Sequence, residues 1–216
     1  MQEPDRRAPP PLGGGASHAG AGRGTAVAKW WAWPKRGRTA PNPRREESPM
    51  PDATMQQPHD LLLHELSRMY AFEQHNVETL TALAAEVDAA AARRPLEHHL
   101  KETREQLGLL EECFALLDAR PQPVTVNAAT GMKHDHAAFV KLGPAPALLT
   151  LYDLHAAAQV EHLEVAAYRG LIDGAAAGGL TEVVQRLRRI LKQEEDSAKE
   201  LEAAAKALGA TARAAA

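Results

Sequence analysis

From residue 58 onwards, apolar residues recur at intervals of three and four over four long stretches, and this spacing points to long amphipathic helices. In the first stretch Leu62, Leu66, Met69, Leu80, Leu83 and Val87 share one helical face. Pro58 and Asp60 open it, and it is expected to run to about Ala91. The second is expected from about Pro95 to Leu117, with Leu96, Leu100, Leu107, Leu110 and Phe114 inside. Pro95 suits a first turn, where its missing N–H has no partner to lose. Pro121 and Pro123 then stop the chain. The third stretch, about Pro146 to Asp173, turns Leu148, Leu151, Leu154, Ala158, Val165, Tyr168 and Ile172 inward. Gly174, Gly178 and Gly179 form the next turn, and Thr181 is placed to cap the fourth helix. That helix carries Val184, Leu187, Leu191, Ala198, Leu201 and Leu208, and is expected to end at Gly209.

Short connections join the first pair and the last pair of helices. Residues 119–144 between the pairs are irregular, with one short helix expected near Asp135 to Leu142. The pattern predicts an all-α fold over residues 58–210: an antiparallel ferritin-like four-helix bundle with a long crossover between helices 2 and 3. Only 4% of the residues are aromatic and alanine is abundant, a mix that favours helices over sheets.

Residues 1–57 differ in kind. Pro9-Pro10-Pro11, Gly13-Gly14-Gly15 and scattered arginines cannot bury enough apolar surface to offset chain entropy, so a disordered tail is expected. Met50 and Met55 stand just ahead of the first helix, and either offers an alternative start. Nine of the 25 basic and five of the 28 acidic side chains fall in this tail, leaving 16 basic against 23 acidic beyond it. A part that acidic argues against binding a phosphate backbone and suits cations. No stretch approaches a membrane span, and no apolar leader stands at the N-terminus, so a cytoplasmic protein is expected. The single cysteine, Cys113, excludes a disulfide framework and a cysteine-rich zinc site, and its place in the apolar pattern makes it a buried residue.

The informative departures are charges where a leucine belongs. Glu73 interrupts the stripe of the first helix between Met69 and Leu80, beside Asn76. His99, Glu102 and Gln106 form one strip on the second. Glu161 stands between Ala158 and Val165 on the third, with Glu164 three residues on, and Glu194 between Leu191 and Ala198 on the fourth, with Glu195 beside it. A lone ionised carboxylate in such a core costs several kcal/mol, by order of magnitude, so one from every helix calls for cations. Two divalent metals would supply the charge, and mixed carboxylate and imidazole ligands suit iron or manganese. Bundles of this kind hold two metals with a Glu from two helices and a Glu/His pair at i, i+3 from the others. His99 and Glu102 have that spacing in reversed order; Glu161 and Glu164 have it with two carboxylates. His155 and His162 point a little off the stripe and read as groups behind the ligands or on the surface, while Tyr70 and Tyr168 read as core aromatics.

Tyr70-Ala71-Phe72-Glu73-Gln74, His99-Leu100-Lys101-Glu102-Thr103 with Gln106, and Gln159 to Tyr168 with its Val-Glu-His-x-Glu-x-Ala-x-Tyr run resemble the YciF/YciE family of bacterial ferritin-like stress proteins. Glu194-Glu195 matches the paired glutamates of that family's last helix. The resemblance covers about residues 58–208. It implies a rubrerythrin-like fold, a di-metal site, a homodimer and a stress-linked role. It marks Glu73, Glu102, Glu161 and Glu194 or Glu195 as metal-associated, with His99 and Glu164 beside them. The crossover departs from the family: Thr130-Gly131-Met132-Lys133-His134-Asp135-His136 replaces a Met-x-Gly-Leu-Ile-x-Glu run, so no crossover ligand is carried over. Lys199 stands where an aspartate is usual.

Two functions follow. One is a ferritin-like protein binding two iron or manganese ions through Glu73, His99, Glu102, Glu161, Glu164 and Glu194, able to react with peroxide or dioxygen. The other is a metal-free helical dimer serving as a stress-related interaction module, with Glu102, Glu161 and Glu194 protonated, hydrated, or paired with arginines such as Arg104 or Arg188.

Overall fold

The computed structural model describes residues 55–87 and 90–214, so the expectation for the tail lies almost wholly outside the described residues. These form five helices and no strand: α1 (Pro58–Glu86), α2 (Ala90–Leu116), α3 (Asn127–Val140), α4 (Pro146–Ala177) and α5 (Thr181–Ala214). The fold is all-α.

Local chemistry sets the ends. Pro58 sits in the first turn of α1, and Asp60 Oδ2 accepts from the Gln57 N–H at 2.8 Å and the Gln56 N–H at 3.1 Å. At the end of α4, Gly179 adopts φ +70°, and the N–H groups of Leu180 and Gly179 reach back to the carbonyls of Ala175 and Ala176, both at 3.0 Å. Asp118 (φ 49°) plays the same part after α2, where Ala119 N–H bonds Phe114 O at 2.9 Å.

The helix bounds correct the spacing-based expectation. Val87 is already extended, so α1 stops at Glu86 rather than Ala91. α2 starts at Ala90, which puts Pro95 inside the helix rather than in its first turn. The alanines ahead of Pro95 form helix readily enough to carry its lost N–H bond. The crossover helix is longer than the segment near Asp135 to Leu142, because Gly131 lies within it. α4 continues past Asp173 and Gly174 to Ala177. Thr181 is the first residue of α5, and that helix runs through Gly209 to Ala214.

α1 packs on α2 and α4, and α5 packs on α2 and α4; the principal contact of α3 is with α4. Bonded pairs fix the directions. Glu73 meets Tyr168 while Asn76 meets Glu164, so α1 and α4 run antiparallel. Arg186–Glu112 and Ser197–Glu102 show the same for α5 and α2. Two apolar clusters fill the interior. One gathers Leu66, Met69, Leu110, Phe114, Tyr168 and Leu187; the other Leu80, Leu83, Leu96, Leu154 and Leu201. Between them lies a layer of buried polar groups: Glu73, Asn76, His99, Thr103, Gln106, Glu161, Glu164, Glu194 and Ser197.

Candidate metal centre

Four helices bring the polar layer together because each places a polar residue on its apolar stripe at the same height. His99, Glu161, Glu164 and Glu194 each direct a donor atom inward, and these atoms all lie within 4.8 Å of one another. All four residues are buried. Glu73 is fully buried beside them, but its Oε1 accepts from the Tyr168 hydroxyl. Glu164 Oε1 accepts from Asn76 Nδ2 at 2.8 Å.

Glu102 does not join the group. Its side chain stays partly exposed and accepts from Ser197 Oγ at 2.9 Å. The pairing with Arg104 or Arg188 considered from the sequence gives way to this serine and to His98, 3.9 Å away. Between the neighbouring glutamates of α5 the structure separates roles: Glu194 is buried, whereas Glu195 pairs with Arg169 at 2.7 Å. His162 is exposed and meets Glu202 at 2.7 Å, and His155 is exposed. Cys113 is buried, and burial pushes its thiol up to about 12.

Ser197 escaped the sequence reading although it follows Glu194 by three, the spacing of one helical face. It sets the state of His99. The only hydroxyl hydrogen of Ser197 goes to Glu102, so its oxygen accepts from His99 Nδ1–H at 3.1 Å. That assignment leaves the lone pair of His99 Nε2 facing Glu161 Oε1 across 2.8 Å. Two acceptors face each other there, and only a proton or a cation between them removes the conflict.

The rest of the layer repeats the problem. Glu73 Oε2, Glu161 Oε2, Glu164 Oε2 and both oxygens of Glu194 are buried without a hydrogen-bond donor, and both amide atoms of Gln106 are buried without a partner. Desolvation raises the carboxyl groups of Glu73, Glu164 and Glu194 above their ordinary range, and takes Glu161 to about 8. Mutual repulsion adds to this: Glu73 raises Glu161, Glu164 and Glu194 in turn. Burial, with the charge of Glu73, also holds the Tyr168 phenol well above its usual value. A set of buried carboxyl oxygens with one imidazole, lacking hydrogen-bond donors, fits divalent metal ions.

Residues 57–215 match the family described as a domain of unknown function, DUF892. The chain belongs to this family. Solved structures align with it along most of their length. YcfI of Rhodopseudomonas palustris is 27% identical, with a TM-score of 0.68 over 71% of this chain and 98% of its own. The E. coli stress protein YciF is 21% identical, also at 0.68, over 71% and 98%. A protein of Xanthomonas campestris is 24% identical at 0.58, over 71% and 94%. At such identities the last two speak for a shared fold. No curated protein matches the chain. The YciF-like family read from the seam motifs is the one these matches support.

Proposed function

We propose that residues 58–210 form a ferritin-like four-helix bundle whose polar layer holds two divalent ions of iron or manganese. His99, Glu161, Glu164 and Glu194 would be the inner donors, with Glu73 beside Glu164 and Glu102 on the solvent side. The observation that carries this reading is the buried convergence of His99, Glu161, Glu164 and Glu194, whose donor atoms lie within 4.8 Å of one another, with His99 Nε2 and Glu161 Oε1 only 2.8 Å apart. A metal-binding histidine typically donates its other ring N–H to a fixed acceptor, the part Ser197 plays. Iron or manganese bound there with an open coordination position would supply reactivity toward peroxide or dioxygen. The chain's own residues orient the ligands: Tyr168 holds Glu73 and Asn76 holds Glu164, between the two apolar clusters. A stress-related role as a cytoplasmic homodimer completes the proposal, on the strength of the family resemblance.

The metal-free interaction module has one observation in its favour. Burial raises the layer's carboxyl groups, so protons alone can neutralise part of it. Elemental analysis of chain purified without added metal decides between the two. Uptake of about two iron or manganese ions per chain is expected in the polar layer, so a Glu161→Gln, Glu194→Gln variant should hold about two fewer than the unaltered chain. No metal in either protein after anaerobic iron loading would leave the helical module as the better reading.

A further inference from the structure

A second cluster lies on the crossover side of the molecule. Glu86 at the end of α1, His136 on α3 and Asp153 on α4 each offer a donor atom, and these atoms lie within 4.8 Å of one another. His136 Nε2 is 3.0 Å from Asp153 Oδ1. Asp153 is 1% exposed, yet its second oxygen, Oδ2, has no hydrogen-bond partner. A buried carboxylate oxygen without a donor keeps the cost of its lost hydration, so such a group calls for a counter-charge. Glu86 is exposed, which keeps the cluster reachable from solvent. Lys133, the nearby cation on α3, is 3.5 Å from Glu78.

The cluster stands apart from the polar layer. Asp153 precedes Glu161 by eight residues, about 12 Å along a helix. A cavity of about 260 Å³ is lined by members of both groups: Glu86, His136 and Asp153 of one, His99 and Glu161 of the other. Its remaining wall joins the apolar Leu80, Leu83 and Ala157 to His75 and Glu78 of α1.

We propose that Glu86, His136 and Asp153 form a separate site for one divalent first-row cation, held by two carboxylates and one imidazole. Two carboxylates and a neutral imidazole bring two negative charges, which one such ion balances. The donor mix of nitrogen and oxygen suits zinc, manganese or iron(II). Three protein ligands leave further positions for water. The site ties together α1, α3 and α4, and gives the crossover helix an anchor beyond its stacking of Phe139 on Tyr152 at 4.0 Å. It goes beyond the reading of the polar layer and does not depend on it.

The test counts zinc by elemental mass spectrometry in the untagged full chain after dialysis against zinc chloride alone. A Glu161→Gln, Glu194→Gln variant, with the polar layer disarmed, is expected to keep one zinc per chain. Adding His136→Gln and Asp153→Asn is expected to remove it. Should that combined variant lose its helical circular dichroism, Glu86→Gln, which changes an exposed side chain, carries the test. In the disarmed background it is expected to weaken the remaining zinc by at least tenfold, about the loss that even outer partners of a ligand cause. Unchanged zinc in the folded combined variant, or unchanged affinity in the Glu86→Gln protein, would overturn the proposal. So would a disarmed variant that keeps no zinc.

Discussion

Leu66 and Glu73 lie seven residues apart on α1, Leu187 and Glu194 seven apart on α5, and Glu161 and Tyr168 seven apart on α4. Seven residues are nearly two helical turns, so each pair shares a face and differs mainly in height. All six side chains are buried. One layer is closed by dispersion and the hydrophobic effect, which respond little to protons or ions. In the other, burial raises every carboxyl group and leaves oxygens without donors. The same helical register thus yields one layer whose stability is built in and one whose stability depends on what binds it.

Experiments can sharpen that contrast, beginning with the apolar layer. Leu187→Ala removes a side chain with no exposure and is expected to cost about 2–5 kcal/mol in urea unfolding. The loss should be alike at low and neutral pH and with or without metal. A loss that varied with metal would mean the two layers are energetically one. Next comes Glu194→Leu, which replaces a carboxyl group whose two oxygens lack donors. The metal-free protein is expected to gain about 1–3 kcal/mol, and metal should no longer raise its melting temperature. A destabilised metal-free variant would show that Glu194 has a role in the fold itself.

The pH dependence of the metal-free chain follows from Glu161, whose carboxyl rises from 4.5 to about 8 on folding, mainly through burial. The folded state then keeps a proton that the unfolded chain releases. Stability is full below about pH 4.5 and falls as pH rises toward about 8. The slope reaches about 1.4 kcal/mol per pH unit for each proton retained. Urea midpoints measured across this range should decline in the metal-free protein and decline less steeply in Glu161→Gln, where Glu73, Glu164 and Glu194 still keep their protons. A midpoint that rises instead would mean that the layer's carboxylates are ionised without metal. The smallest effect should come from Gly179→Ala. Nothing lies near the added methyl, so only the left-handed backbone opposes it, at roughly 1 kcal/mol, blind to pH and metal.

Much of this arrangement was legible in the sequence, because three- and four-residue spacing reports burial directly. Glu73, Glu161, Glu164 and Glu194 stood on apolar stripes and are buried. On α2, His99 and Gln106 of the strip are buried as well, and only Glu102 departs. From His99, a residue three positions on turns by about 60° one way and a residue four on by about 40° the other. The structure buries Thr103 and leaves Glu102 at the rim. Asp153 was passed over, although Asp153, Ala157, Glu161, Glu164 and Tyr168 share the spacing of a buried stripe. His136 could not be placed from spacing, because the helix that carries it is short and Gly131 reads as a turn. The helix ends were the least legible, since alanine-rich flanks allow a helix to run past a glycine or a proline.

The crossover helix has a footing unlike that of its four long neighbours. Its principal contact is α4, and Ala129 is its one buried residue. Its amide hydrogens should therefore trade with solvent through brief local openings, while those of α1, α2, α4 and α5 wait for larger ones. Two kinetic classes would then coexist in one chain.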